Sequence, residues 1–275
     1  MTGKLCKYEF KTSIRQISIA WMALLASSVL LAVIIASSHS LIYSSTRAVA
    51  SILTGVLSTL YGVILTAMVV MAVLIVVVRF YNSVCSDEGY LIHTLPVSIR
   101  SIIVSKGLVA TALLIVSLFV AMISICFILM GISVSDFFES CGCVFEEIGR
   151  EPRILLLIFE GVVVLILGIM KSVYNVYAAI ALGQMANKHR ILMSIVSYIG
   201  ISVVLTAIVS TELNITSSDL IREPLFETGR NFAAYFGGWG IGQAVIIAVI
   251  VVELVQLIIF HAITEVALTK RLNLL

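Results

Sequence analysis

The chain has 275 residues, of which 61% are hydrophobic and only 12% charged, with a mean hydropathy of +1.17. Soluble domains carry about a quarter charged residues, so this composition excludes a water-soluble globular protein and makes the bilayer the solvent for most of the chain. A formal net charge of +2 is too small to argue for a nucleic-acid partner.

Residues Lys4 to Gln16 alternate charge with apolar positions such as Leu5, Tyr8 and Ile14, the pattern of an interfacial helix in the headgroup layer. They are basic and lead into an apolar run with no small-residue cleavage site, so no cleaved signal peptide is expected. Span 1 is predicted over residues 17–36, long enough at 1.5 Å per residue to cross about 30 Å of hydrocarbon. A polar loop, Ser37 to Ser51, leads to span 2 at 54–78, where Gly55 and Gly62 share a face suited to close helix packing. Span 3 is predicted over 107–130, with its helix beginning near Pro96.

The segment Gly131 to Arg153 holds Asp136, Glu139, Glu146, Glu147 and Glu151 beside Phe137 and Phe138, which predicts an amphipathic surface element. Span 4, at 154–185, is too long for a simple crossing and must be tilted, kinked or partly outside the membrane. Span 5 is predicted at 191–209. The acidic stretch Ser210 to Trp239 then precedes span 6 at 240–260. The predicted fold is therefore all-α: a single six-span membrane domain covering residues 1–275.

Eleven of the seventeen Lys and Arg residues fall in the N-terminus, residues 79–106, the 186–190 turn and the C-terminus, and five in the other three loops. By the positive-inside rule both termini and the 79–106 segment are cytoplasmic, and the acidic segments lie outside.

The 79–106 segment, RFYNSVCSDEGYLIHTLPVSIRSIIVSK, is the most informative stretch. Ser86, Asp87 and Glu88 suit a helix N-terminus, Gly89 permits a turn, and Tyr90 offers an aromatic anchor. Pro96 disfavours helix at Leu95 and can itself open the next helix, with Ser98 as an alternative cap. The successive blocks RFY, DEGYL, TLPVS and SK resemble the coupling loop of ABC-2-type transporter permeases of Gram-positive bacteria. The opening LCKYEF resembles that family's N-terminal elbow helix, YAAIALGQMANKHR its span-4 exit, and TKRLNLL its ending. His93 departs from the pattern, standing where the family has an apolar residue.

The resemblance implies a permease subunit of an ABC exporter in the bacterial cell membrane, paired with a second permease copy or a paralogue. It also implies short re-entrant helices on the outer side between spans 5 and 6. Separate ATPase subunits would bind ATP and Mg and dock on a coupling helix, with Asp87, Glu88, Gly89, Tyr90 and Leu91 at the contact. The sequence contains no G-x-x-x-x-G-K-[ST] phosphate-cradling loop, in keeping with energy supplied by another polypeptide and a chain that is not itself an enzyme. The implied substrate is amphipathic or hydrophobic: an antimicrobial or cytolytic peptide, a drug or a lipid.

Ionisable groups inside the membrane cost about 2.5–3.5 kcal/mol each on insertion scales, which makes Glu160, Lys171 and Glu253 candidates for a translocation path or a dimer interface. Glu160 and Lys171 are eleven residues apart, close to three turns, and share a helix face. Lys171 is the natural opposite-charge partner of Glu253, and a structural ion pair is the plainer reading of the two. An alternative function uses the same three residues as the ion relay of a secondary transporter.

Other signals carry less. Glu146, Glu147 and Arg150 imperfectly match the glutamate pair of intramembrane CAAX-type proteases, but they sit in an outer loop. Cys141-Gly-Cys143 lacks a nearby histidine for a metal site, and the five cysteines (Cys6, Cys85, Cys126, Cys141, Cys143) have no scaffold spacing, so neither metal nor disulfide framework is expected. His189 and His261 read as membrane-boundary residues.

Overall fold

The computed structural model describes residues 2–39, 44–85, 99–185, 189–217 and 219–270. These residues are all-helical, in seven elements: α1 (Thr2–His39), α2 (Ser44–Cys85), α3 (Ile99–Ile132), α4 (Val134–Arg150), α5 (Pro152–Gly183), α6 (Arg190–Ser217) and α7 (Asp219–Lys270). All but α4 contain a stretch long and apolar enough to cross a membrane, namely Glu9–Ser37, Val49–Asn82, Ile99–Ile132, Arg153–Gly183, Arg190–Ala207 and Val245–Thr269. With no water in hydrocarbon, helices satisfy every backbone polar group internally, so an apolar sequence of this kind can fold in a bilayer only this way or as a closed barrel.

Three helices differ from the sequence expectation. The interfacial segment 4–16 and span 1 form one uninterrupted helix, α1. The polar loop at 37–51 is largely absorbed, since α1 runs to His39 and α2 begins at Ser44. Its serines and threonines bond their own helix: Ser37 Oγ donates to the Ile34 carbonyl at 2.9 Å, and Thr54 Oγ1, just past the loop, donates to that of Ala50 at 2.8 Å. Residues 219–239, expected to turn back as re-entrant pieces, belong to α7, which continues for 52 residues.

The chain packs as two compact units. The first comprises Met1–Arg79 and Leu108–Leu155. Its seam on α1 is Ser13, Ile17, Leu24, Ser28 and Leu31, all buried and spaced by threes, fours and a seven, which places them on one helix face. Gly131 lets α3 approach α1 closely, because a Cβ there would sit 2.6 Å from the Cα and carbonyl oxygen of Ala32. Trp21 Nε1 donates to Ser117 Oγ at 3.2 Å, and Tyr61 Oη lies 2.7 Å from Ser124 Oγ. Ser124 already donates to the Ala121 carbonyl at 2.7 Å, so Tyr61 is the donor of that second bond. Arg79 Nη1 donates to the Glu9 carbonyl at 2.7 Å and to Ser13 Oγ, tying the end of α2 to α1.

Between α3 and α5, Ser133 caps α4: its backbone is extended (φ −159, ψ 115) and its hydroxyl accepts from the Asp136 amide at 3.3 Å. Asp136 in the first turn and Arg150 in the last complement the helix dipole.

The second unit comprises Phe80–Gly107 and Leu156–Leu275. Its core gathers Phe80, Ile102 and Ile103 with Val173, Tyr174, Tyr177 and the run Ala178–Ala181 of α5, and Phe260, Thr264, Ala267 and Leu268 of α7. The small alanines of α5 allow burial on every side of the helix. At its far end, a side chain on Gly183 would collide with Ser194 of α6. His189 precedes α6 with a positive φ of 56, the left-handed conformation that histidine adopts more readily than bulkier residues.

Candidate functional site

The proposed ATPase contact, Asp87, Glu88, Gly89, Tyr90 and Leu91, lies outside the described residues, as does His93. What the structure does describe is how the two ends of that segment are held within the second unit. Phe80, at its start, stacks on Tyr177 of α5 with ring centroids 3.7 Å apart and an interplanar angle of 11°. Tyr177 Oη donates to the carbonyl of Lys106, at the segment's end, at 3.3 Å. Tyr174, one turn away, meets Tyr177 edge-on at 6.0 Å and His261 of α7 at 5.4 Å. Gly107 completes the fit, since a Cβ there would lie 2.6 Å from Tyr174 Oη. Near the start of α3, Arg100 pairs with Glu265 of α7, whose other oxygen is 4.0 Å from His261 Nε2. Arg100 is largely exposed, so this pair orients more than it stabilises.

Deeper along α5 lies the second cluster. Lys171 Nζ donates to Glu253 Oε1 of α7 at 2.7 Å, the pairing expected from sequence. The side chains are 26% and 16% exposed, so the pair is neither sealed in the unit nor freely solvated. Its satisfaction is incomplete: Glu253 Oε2 is buried without a hydrogen-bond partner among the described residues, and so are Asn175 Oδ1 and Glu160 Oε2. Asn175 is one turn from Lys171 on the same face of α5. Glu160 shares that face but stands about 16 Å further along the helix, so it does not join the pair. Of the three residues singled out from sequence, Lys171 and Glu253 thus form one contact between α5 and α7, and Glu160 is a separate carboxylate on the Lys171 face of α5.

The sequence did not point to Asn175 or to the Phe80–Tyr177–Lys106 arrangement as site features. Asn175 could have been found from its i, i+4 spacing to Lys171, whereas the aromatic stack joins residues almost a hundred positions apart and left no local sign. Cys126, Cys141 and Cys143 are free thiols, and among the described residues no group of three or more His, Cys, Asp or Glu could hold a metal ion. Glu146 and Arg150 form an exposed i, i+4 bond at 3.3 Å on α4, an ordinary surface pair.

No family model matches the chain, and no characterised protein or solved structure matches it. Among the described residues stand six helices long and apolar enough to span a bilayer, consistent with a membrane protein, an ion pair within two of those spans, and contacts of Phe80 and Lys106 with Tyr177.

Proposed function

We propose that the chain is the permease subunit of an ATP-driven exporter for an amphipathic or hydrophobic substrate, with ATP hydrolysed by a separate subunit docked at residues 87–91. The observation that carries this reading is the anchoring of both ends of the 79–106 segment on one tyrosine. Phe80 rests on the Tyr177 ring, and Lys106 accepts from its hydroxyl. A displacement of the residues between them is passed to α5 through a ring face and a hydrogen bond. Through Arg100 and Glu265 it also reaches α7. Those two helices carry Lys171 and Glu253, so a push at the segment acts on the polar pair.

In this reading both termini and the 79–106 segment face the cytoplasm, the first turns of α1 serve as the elbow at the cell membrane's inner surface, and a second permease copy or paralogue completes the path. Glu160, Lys171 and Glu253 line that path. The ion-coupled alternative draws on a specific feature as well: Glu253 and Glu160 each keep a buried oxygen without a hydrogen-bond partner among the described residues. The two are separated by purifying the tagged chain after co-expression with its genomic neighbours. Co-purification of an ATPase is the expected result. Its absence, with transport lost on Glu253→Gln, would overturn the exporter reading in favour of ion coupling.

A further inference from the structure

We infer that α4 is a membrane-surface helix whose apolar face and adjoining groove are filled by the acyl chains of bilayer lipids, not by a protein partner. Helix α4 carries apolar residues at 134, 137, 138, 141, 144, 145 and 148, a continuous stripe at helical spacing, yet it contains no buried residue. Phe138 and Phe145 are 61% and 75% exposed, far too much apolar surface to leave facing water on a helix of 17 residues.

The position of α4 in the chain decides what covers it. Ser133 alone separates it from α3, and Glu151 alone separates it from α5, and both neighbours are membrane spans. A helix about 25 Å long joined so tightly at both ends to spans is held at one surface of the bilayer. A groove of about 420 Å³ runs along it, lined mostly by apolar side chains, Leu129 and Ile132 of α3 and Phe137, Cys141, Val144 and Phe145 of α4, with Asp136 and Ser140 also in the lining. Leu129 and Ile132 belong to the exposed apolar surface of a membrane span, so the groove continues a surface that already meets hydrocarbon. The opposite face carries Glu139, Glu146 and Glu147 against Arg150 alone, a net negative face that stays in water and disfavours anionic headgroups. The occupant is therefore the chains of zwitterionic lipid. None of this depends on whether an ATPase drives the protein.

The test places a single tryptophan at Phe138, Phe145 or Glu147 in a Trp21→Phe, Trp239→Phe background, reconstituted in nanodiscs of dibrominated phosphatidylcholine. At least threefold stronger quenching at 138 and 145 than at 147 is expected. Equal quenching at all three positions, or protection of 138 and 145, would overturn the assignment, the latter pointing to a protein cover. Because the substituted chains could fail to fold, the unaltered protein is also photolabelled with a phosphatidylcholine bearing a diazirine in its acyl chain. Adducts mapped by mass spectrometry should fall within residues 137–145; their absence there, with labelling elsewhere on α3, would contradict the proposal. With the diazirine-labelled phosphatidylcholine held at a fixed trace amount, replacing half of the unlabelled phosphatidylcholine by phosphatidylglycerol should raise the adduct yield at α4, towards twofold, and an unchanged or lowered yield would reject the preference for zwitterionic lipid.

Discussion

The two compact units treat polar atoms in opposite ways. In the first, Trp21, Tyr61 and Arg79 all meet neutral partners, hydroxyls or a backbone carbonyl, and every one of those contacts is a complete hydrogen bond. In the second, Lys171 and Glu253 bring full charges to membrane depth, and Glu253, Glu160 and Asn175 each keep a buried oxygen without a partner. Hydrocarbon penalises unsatisfied groups more than water does, and among the described residues those left without a partner all fall in the second unit. On the exporter reading, that contrast would set a scaffold apart from a working region.

The sharpest way to break that contrast is to remove one charge. Glu253→Ala should cost about 3 kcal/mol by stranding Lys171, read as a lower thermal midpoint in detergent. The double change Lys171→Met with Glu253→Leu should recover most of that loss while abolishing function, since it removes the charge and keeps the packing. A double variant as unstable as the single one would show that the pair does more for folding than its charges account for.

Next in size are the two close approaches. Gly131→Ala should cost about 2–3 kcal/mol, because its Cβ meets the backbone of Ala32, which cannot swing aside. Gly107→Ala should cost less, about 1 kcal/mol, since Tyr174 can yield by rotation. It should nevertheless disturb coupling more than Gly131→Ala does, measured as ATP hydrolysis per substrate moved. Equal uncoupling by both would erase the distinction between the units.

The smallest effects come from single hydrogen bonds. Tyr177→Phe removes the donor to Lys106 and should cost about 1 kcal/mol, while Trp21→Phe, losing the bond to Ser117 and part of the indole ring, should cost about 1 kcal/mol as well. Their stabilities will be similar and their activities should differ, Tyr177→Phe alone slowing transport.

Much of the fold was legible because hydrocarbon leaves few choices. Apolar runs of twenty residues announce the spans, and the pattern from Val134 to Ile148 announces α4. The boundaries were less legible for a physical reason seen at Ser37 and Thr54: hydroxyls that bond back to their own helix look like loop residues in a sequence and do not interrupt the helix. Likewise the resemblance implied separate re-entrant pieces before span 6, where glycines stand at 237, 238 and 240. Each costs about 1 kcal/mol in a helix, less than an unsatisfied backbone group costs in lipid, and α7 continues through them. Of the candidate site, the Lys171–Glu253 pair could be foreseen because opposite charges in a membrane have few other solutions. The Phe80–Tyr177 stack could not, since any aromatic pair of suitable size would have read the same.

In the proposed function, residues 87–91 take the force of a separate ATPase. This is tested most directly by measuring how much ATPase co-purifies with the wild-type chain and with the Glu88→Ala, Tyr90→Ala double variant, at equal amounts of folded membrane protein. The account predicts stoichiometric recovery with the wild type and at least a tenfold loss with the variant. Undiminished recovery with the variant would contradict the placement of the contact and, with it, the route through Tyr177.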